Sequence, residues 1–362
     1  MLSDTLYWLW LAHVLGPGAA HCGQALALYG GPRQLHQAVG SEDFSCLLSA
    51  AQRERLNAPV GRFEPLALRC ESTGTAIITQ ADERYPRRLL ALPDAPPVLY
   101  CTGLAGALNA RHTVGMIGSR RPSAYGVEAA AAIGGGLAKA GVCLVSGLAD
   151  GLDSEAHKAA VRAGAPTVGV LGTAIDKTYP AANHALRRQV QQVGAVVSEL
   201  GPGEASGKGS FLLRNRLIAG LSDLLCVVEA REKSGTMNTV HHAQRYQKPV
   251  YAVPGGIFSQ LCAGTNRLLA EGTAQAATGS EALLARLGLG GKKAAAAQTK
   301  QPGPALSGPG AAMLAQLAQT PRSLEHLAGA AGLAAGEALA ALLELELCGL
   351  AQSCAGGQYR RK

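Results

Sequence analysis

The sequence TVGMIGSRRPSAYG, residues 113–126, decides the fold because it joins an apolar strand to a loop of small and basic residues and then to a helix. Residues 113–117 are nearly all apolar, as expected for a parallel strand covered on both faces. The glycine and serine that follow let the backbone approach an anion, and the next helix begins with free N–H groups. This stretch predicts the first strand, loop and helix of an α/β fold with an anion site beyond the strand.

The same alternation continues downstream of this unit. Short apolar runs stand at residues 142–146, 167–171, 195–199, 223–229 and 249–253, separated by alanine-rich helical patterns. Six strands with five intervening helices are typical of a Rossmann-like, doubly wound, mostly parallel sheet. We therefore predict an α/β protein whose core spans residues 113–287.

The segments on either side of this core predict further domains. Residues 1–70 form a helical pattern broken by glycine and proline, which indicates a small module of the sterile-alpha-motif or helix-hairpin-helix type. Residues 71–112 connect it to the core, and the Gly-, Pro- and Ala-rich stretch 288–310 is typical of a flexible linker. Residues 311–362 show three short helices and a terminal hairpin, the plan of a winged helix. Such modules bind DNA or serve as protein adaptors, and the sequence leaves both open.

Composition narrows the class of protein. A chain of 362 residues with 48% hydrophobic and 16% charged residues is no disordered protein, and its length predicts two or three domains. The net charge of +8 favours a polyanionic partner, although it also serves solubility. The apolar stretch at residues 6–15 is too short to span a bilayer, and no basic residue precedes it. We expect a cytoplasmic protein without a membrane partner.

Metal, disulfide and cofactor motifs are missing from the sequence. The nine cysteines are odd in number and none stands at CxxC spacing, so neither zinc nor a disulfide framework is indicated. No GxGxxG occurs, and Gly207-Lys208 does not complete a phosphate-binding loop of the Walker type. We predict no catalytic residue, no metal and no cofactor.

The loops that follow the strands carry the candidate site, because ligands of open parallel sheets bind beyond the carboxyl ends of the strands. Gly118 and Ser119 give the first loop its close approach, and Arg120 can fork two hydrogen bonds to a phosphate. After the second strand, Asp153 or Ser154 is expected to cap the next helix. On that helix, His157 is expected to be a packed histidine rather than a catalytic base.

Two later loops add charge and an aromatic ring. Lys208 lies in a glycine loop, Phe211 follows three residues later, and Arg214 and Arg216 stand on the next helical turn. Cations for the backbone and a ring for the base are the means by which proteins bind single-stranded nucleic acid, although a plain core role for Phe211 is the alternative. The fifth strand leads to a further small-residue helix start at 233–235.

Taken in order, these loops resemble the DNA-processing protein A family, also called DprA or Smf. The matching motifs cover residues 113–272 and include Gly118-Ser119-Arg120, Ser146-Gly147-Leu148-Ala149, Ala156-His157, Tyr179-Pro180, Arg214-Asn215-Arg216, Lys233-Ser234-Gly235 and Val253-Pro254-Gly255. Two places depart from the family pattern. Asp150 stands where the family usually has arginine, and residues 236–240 are more polar than usual.

The resemblance implies a role without catalysis. Such proteins bind single-stranded DNA cooperatively as homodimers, protect incoming strands during natural transformation and load the RecA recombinase onto strands that single-strand-binding protein covers. By this resemblance Arg120 and Lys208 hold phosphates and Phe211 stacks on a base. The other implied DNA-binding residues are Gly118, Ser119, Gly147, Arg214, Asn215, Arg216, Lys233, Ser234 and Gly235.

Two other classes of function stay open. Related Rossmann proteins cleave the N-glycosidic bond of nucleotides and carry Gly-Thr and a glutamate soon after Pro-Gly-Gly. Here Gly264-Thr265 comes late and Glu271 lies beyond it, so the motif is out of register. The other alternative is a protein adaptor with a vestigial crevice.

Overall fold

The computed structural model describes residues 3–18, 21–290, 308–354 and 356–362. The chain divides into two compact units, Met1–Gly291 and Lys292–Lys362. Most of the predicted linker, 288–310, lies outside the described residues, and its boundaries stay a proposal.

A nine-stranded sheet forms the centre of the first unit. Its order is β1-β2-β6-β5-β4-β3-β7-β8-β9, and the strands from β6 to β9 run parallel to one another. The strands are β1 Ala76–Thr79, β2 Val98–Gly103, β3 Thr113–Ile117, β4 Cys143–Ser146, β5 Thr167–Val170, β6 Ala195–Ser198, β7 Leu224–Val227, β8 Val250–Ala252 and β9 Gln275–Ala276.

The six predicted strands are β3 to β8, and the prediction of a doubly wound sheet is confirmed. Strand β3 pairs with β4 on one side and with β7 on the other, with Gly115 opposite both Val145 and Leu225. The chain therefore winds outward from β3 in both directions, and the strand order reverses there. Loops beyond β3, β4 and β7 diverge at this point and leave a crevice.

The sheet is wider than the sequence analysis predicts. Residues 71–112, expected only as a connection, supply β1 and β2, which run antiparallel, with Tyr100 opposite Ser198 of β6. The short strand β9 extends the other edge. The six central runs are buried and apolar, whereas β9 is exposed, so apolar runs alone do not reveal it.

Thirteen α-helices are described in the first unit. They are α1 Asp4–Leu15, α2 Cys22–Tyr29, α3 Pro32–Gln37, α4 Ala50–Arg55, α5 Glu64–Ser72, α6 Arg87–Leu90, α7 Ala124–Lys139, α8 Leu152–Arg162, α9 His184–Val193, α10 Lys208–Leu221, α11 Gly235–Arg245, α12 Ala263–Ala270 and α13 Ser280–Arg286. The five helices α7 to α11 alternate with β3 to β8, as predicted.

Both faces of the sheet are covered by apolar side chains. On one face Met116 belongs to a buried cluster with Leu137 of α7 and Ala156 of α8. On the other face Ile117 belongs to a cluster with Leu217 of α10. This two-sided cover explains why the central strands are almost uniformly apolar.

The N-terminal helices pack onto the same sheet. Trp10 of α1 is fully buried in a cluster that also holds Tyr100 of β2 and Val196 of β6. The helical residues and the sheet therefore share one apolar core. A separate module over residues 1–70 stays a proposal about the chain's organisation.

The second unit has the plan of a winged helix. It comprises α14 Pro309–Gln316, β10 Arg322–Ser323, α15 Leu324–Ala331, α16 Ala335–Leu347, β11 Ala351–Cys354 and β12 Gln358–Arg361. The three strands pair in the order β10-β12-β11. Met313, Leu327, Leu342 and Leu345 fill a core of its own.

None of the described helices alone is long and apolar enough to cross a bilayer. The pair α15 and α16 meets the length and composition requirement together but is bent by 103°.

Candidate nucleic-acid interface

The crevice lies where the strand order reverses, beyond the carboxyl ends of β3, β4 and β7. It encloses a cavity of about 360 Å³ between the loops after β3 and β7 and the first turns of α10 and α11. Eight of the predicted site residues line it, namely Gly118, Ser119, Arg120, Phe211, Arg214, Asn215, Ser234 and Gly235.

Two glycines make the close packing of this crevice possible. A Cβ at Gly118 would lie 2.3 Å from the Leu152 side chain and 3.0 Å from the Glu229 carbonyl oxygen. A Cβ at Gly147 would lie 2.5 Å from the Asp153 carboxylate and 2.6 Å from the Arg214 guanidinium. Both positions exclude a side chain, so glycine at each brings neighbouring loops into contact.

The N-cap residue of helix α7, whose start is expected to receive an anion, is bonded to the protein's own carboxylate. Glu229 follows β7, is fully buried, and accepts hydrogen bonds from the N–H of Ser123 at 3.0 Å and from its hydroxyl. Gly126 makes room for it, because a Cβ there would lie 2.4 Å from the carboxylate. Two of the donors expected to bind an external anion, the N–H groups of Ser123 and Gly126, therefore already have partners within the protein, the second being the Ser123 hydroxyl at 3.1 Å.

Cation and ring meet at the wall of the cavity. The exposed guanidinium of Arg120 lies 5.8 Å from the centre of the Phe211 ring. The Phe211 ring is half-buried and belongs to none of the apolar clusters of the described residues. It packs over Gly172, where a Cβ would lie 2.6 Å from the ring. Phe211 is thus a surface ring held in place from below, and the core alternative is not supported.

Lys208 and Lys233 stand beside the crevice rather than in its wall. Lys208 is the first residue of α10, Lys233 lies just before α11, and both side chains are exposed. Gly207 and Gly209 flank Lys208, and a Cβ at either would meet no atom within 4 Å. These lysines add positive charge around the cavity from open positions.

Arg214 is a structural cation and not the free one that the sequence analysis expects. Its side chain donates to the carbonyl of Gly147 at 2.8 Å and to that of Val170, and only 5% of the residue is exposed. Burial lowers the pKa of Arg214 to about 10 and raises the pKa of its neighbour Asp153. Arg214 therefore ties α10 to the loop after β4 and forms the floor of the cavity.

Arg216 does not reach the crevice, which corrects its prediction as a DNA contact. It is buried, forms an ion pair with Glu199 and donates to the Asp94 carbonyl at 2.7 Å. Residues two apart on an α-helix point in nearly opposite directions, since each residue turns the helix by about 100°. Arg214 and Arg216 thus face different sides of α10.

Asn215 links the two helices of the crevice. Its amide donates to the Asn238 side chain at 3.1 Å and to the Gly235 carbonyl at 3.4 Å. The polar stretch after Gly235 therefore serves to join α11 to α10. Close by, the Ser234 hydroxyl is buried and has no hydrogen-bond partner in the described part of the chain.

The loop after β4 departs from the expected helix cap. Helix α8 begins after Gly151, and Asp153 turns back to accept a hydrogen bond from the Gly147 N–H at 3.1 Å. Ser154 donates to the Ala149 carbonyl at 2.6 Å. Neither side chain caps the helix, so that expectation is wrong, and both instead hold the loop that forms the crevice.

His157 is a packed histidine, as predicted. The residue is fully buried, and its Nδ1 lies 2.8 Å from the Thr167 hydroxyl. Burial lowers the pKa of His157 to about 3, so the ring is neutral at physiological pH. It joins α8 to β5 and takes no part in the crevice.

Two crevice residues were missed by the sequence analysis as site residues. The exposed Arg231 follows β7 and lines the cavity, and Tyr179 lies in the loop after β5 with its ring 5.4 Å from that of Phe211. Their positions in loops that follow parallel strands could have identified them as site residues. Tyr179 stands 32 positions from Phe211 in sequence, and only the folded sheet brings the rings together.

The arrangement suits a polyanion that carries flat rings. Exposed guanidinium and ammonium groups surround an aromatic face, as in grooves that bind single-stranded nucleic acid. Across the described ranges, no group of three or more His, Cys, Asp or Glu side chains is placed to hold a metal ion.

Comparison with known proteins agrees with the site. Residues 76–288 match the model of the family DNA recombination-mediator protein A, and residues 296–357 match the DprA winged helix domain. Protein Smf of Synechocystis sp. is 32% identical over 325 residues, which cover 79% of this chain and 80% of that protein.

Two solved structures share the fold. The X-ray structure of DNA processing protein A (DprA) from Streptococcus pneumoniae has a TM-score of 0.65 and 28% identity, covering 78% of this chain and 98% of the other. DNA processing protein A from Helicobacter pylori, whose structure concerns a single-stranded DNA binding mode, has a TM-score of 0.54 and 33% identity over 59% of this chain and 95% of its own. Since the family model matches more than half of its length, the chain belongs to the DNA recombination-mediator protein A family.

Proposed function

We propose that this chain is a single-stranded DNA-binding recombination mediator that acts without catalysis. The observation that carries the proposal is the pair of Arg120 and Phe211, with its guanidinium 5.8 Å from the ring centre, at the wall of the crevice. A cation beside a ring supplies one contact for a phosphate and one face for a base, which is what a single strand offers in repetition.

Each part of the crevice has a role in this proposal. Arg120, Lys208 and Lys233 hold phosphates from exposed positions, and Arg231 adds a fourth cation. Phe211 stacks on a base. Gly118, Ser119, Gly147, Ser234 and Gly235 give the strand close access to the backbone, Asn215 holds the walls together, and Arg214 holds the floor.

The geometry favours polynucleotide over a free nucleotide. A nucleotide-binding Rossmann enzyme places the phosphate of its substrate at the first helix start, and here the Glu229 carboxylate binds the N-cap residue beside that position. Thr265 is fully buried in α12 and does not reach the surface, where a nucleotide substrate would bind. These contacts support a binding protein over a nucleotide N-glycosidase, and release of adenine from AMP by the purified protein would contradict it.

Family membership supports a role in DNA processing. Relatives bear the name DNA processing protein, and the Helicobacter pylori member is described by its single-stranded DNA binding mode. We propose that the chain acts in the cytoplasm as a homodimer, protects incoming strands during natural transformation and loads RecA where single-strand-binding protein covers DNA. RecA ATP hydrolysis on covered strands should start sooner when this protein is added, and an unchanged lag would contradict the loading role.

Binding itself is tested by fluorescence anisotropy with a labelled single-stranded oligonucleotide. Phe211→Ala should weaken binding by about 5-fold or more, because stacking on one base contributes roughly 1–3 kcal/mol. Lys208→Ala should weaken it as well. Lys139→Ala is the matched control, since it removes an exposed lysine at the far end of α7.

The control makes the test decisive. Equal effects of Lys208→Ala and Lys139→Ala would indicate binding by overall charge alone and would contradict the crevice. Unchanged affinity in Phe211→Ala would remove the stacking role. A preference for matched duplex over the single strand would contradict the proposed ligand.

A further inference from the structure

A second, smaller cavity adjoins the first at the Phe211 ring. It encloses about 40 Å³ between the loops that follow β4 and β5, and it shares Arg120, Ala149, Phe211 and Arg214 with the first cavity. Asp150 and Tyr179 line it and do not line the first. The crevice therefore has two compartments, which share these four residues and differ in their other walls.

Asp150 is out of place if this compartment holds phosphate. Its side chain is exposed, and within the described ranges it forms no salt bridge. A carboxylate repels phosphate oxygens and accepts hydrogen bonds from N–H donors. Its natural ligand in a nucleic-acid crevice is therefore the edge of a base.

The bases differ sharply in the donors that they present. Guanine offers N1–H and an amino group side by side, which match the two oxygens of a carboxylate, and cytosine and adenine each offer one amino group. Thymine carries no amino group and offers a single ring N–H. A carboxylate reading base edges therefore favours amino-bearing bases, as aspartate and glutamate do when they accept from cytosine.

Tyr179 supplies the face that such a base needs. It is 56% exposed, and its ring lies 5.4 Å from that of Phe211 at an angle of 59°. The compartment is too small for a whole nucleotide, but it admits the edge of a base whose face lies against Tyr179. Ring and carboxylate thus border the same small space.

We propose that this second compartment is a base-reading subsite, in which Tyr179 stacks on a base and Asp150 selects amino-bearing bases, guanine above all, over thymine. The inference rests on the proposed function, since a base reaches the compartment only when a strand occupies the crevice. The subsite adds a preference for particular bases. Stacking and charge alone would bind strands of different sequence with nearly equal affinity.

The experiment compares 15-mer oligonucleotides by anisotropy, in lithium buffer so that guanines stay unfolded. The strands are all thymine, or thymine alternating with guanine, hypoxanthine or cytosine. Alternation places the test base in the compartment in every second register. The full chain should bind the guanine strand about 5-fold or more tightly than the thymine strand, with hypoxanthine, which lacks the amino group, in between.

Variants separate this subsite from general binding. Asp150→Ala should remove the preference and tighten binding to thymine strands, because it removes a negative charge from the neighbourhood of a polyanion without losing a donor partner that thymine could supply. Tyr179→Leu should weaken all four strands. Lys208→Ala should weaken all four by the same factor and keep their ranking. Both Asp150 and Tyr179 are exposed, so these changes leave the core intact.

The outcomes distinguish a failure of the subsite from a failure of the proposed function. Equal binding of all four strands by the unmodified chain, or a preference that persists in Asp150→Ala, would overturn the subsite while leaving single-strand binding intact. Failure to bind any of the strands would overturn both the subsite and the proposed function.

Discussion

Single residues in the crevice divide into cations that face solvent and cations that hold the fold. Arg120 is exposed and lies beside a ring, whereas Arg216 is buried against Glu199. An exposed cation binds phosphate by releasing counterions, and a buried one mainly satisfies a buried carboxylate. The two arginines should therefore respond to substitution in different measurements.

Arg216→Ala tests the structural role. It leaves Glu199 buried without its partner, and burial already raises the pKa of that carboxyl. We expect the free energy of unfolding to fall by about 3–5 kcal/mol, measured by urea denaturation. The double variant Glu199→Leu with Arg216→Met should recover most of the loss. An unchanged stability together with weaker DNA binding would return Arg216 to the interface.

His157 makes stability depend on pH. The pKa of its ring is about 3 in the folded protein and about 6.5 in an unfolded chain, so the unfolded state binds more protons between these values. The contribution is complete above pH 6.5 and is lost as the pH falls, by about 2 kcal/mol at pH 5.

Urea denaturation at pH 7.5 and pH 5 measures this contribution. The loss on acidification should be smaller in His157→Gln by about 2 kcal/mol, because glutamine does not titrate. An identical pH dependence in the variant and the unmodified chain would show that the ring is not held neutral by burial.

At the scale of the elements, short contacts fix the helices that surround the crevice. Helix α7 is tied to β7 by Ser123 and Glu229, and α10 is tied to the loop after β4 by Arg214. These hydrogen bonds are all made within the protein. The crevice is consequently built before any ligand arrives.

Ser123→Ala tests the first of these ties. The change removes the hydroxyl that donates to buried Glu229 and that accepts from the Gly126 N–H at 3.1 Å. We expect the free energy of unfolding to fall by about 1–3 kcal/mol, measured by urea denaturation. Ser41→Ala, at an exposed turn, is the control and should change little. Equal effects would contradict the role of Ser123.

The elements that could be predicted are those whose signal is local. The six central strands are apolar because both faces are buried, and glycine loops mark their ends. Strands β1 and β2 run antiparallel to each other outside this repeat, and β6, the other partner of β2, stands 92 to 98 positions away. The same distinction applies to the site residues. Arg120 could be predicted because it lies in a loop directly after its strand, whereas the position of Tyr179 beside Phe211 depends on the whole sheet.

The angular position of residues around a helix explains why Arg216 was wrongly predicted to contact DNA. Arg214 and Arg216 stand close in sequence, but α10 turns them to different sides, and burial decides which bonds each forms. The sequence shows that the two side chains lie on different sides of α10. It does not show which of these sides faces the crevice. That choice depends on packing against β4 and β5.

At the scale of the whole molecule, the two units differ in the surface that they offer. The first gathers cations and a ring at the reversal of its strand order. In the second, α16 carries exposed Leu339, Leu343 and Leu347 and three glutamates but no lysine or arginine. The surface of α16 therefore offers no cation to phosphates, and the cations of this unit stand elsewhere, Arg360 and Arg361 of β12 among them. The central claim concerns the crevice of the first unit.

The salt dependence of single-strand affinity tests that claim most directly. The logarithm of the binding constant should fall linearly with the logarithm of salt concentration, with a slope near −0.7 for each neutralised phosphate. The slope measured for Arg120→Ala should be shallower by about 0.7 if the Arg120 guanidinium holds one phosphate. A slope identical to that of the unmodified chain would contradict the account, because Arg120 would then not contact the strand.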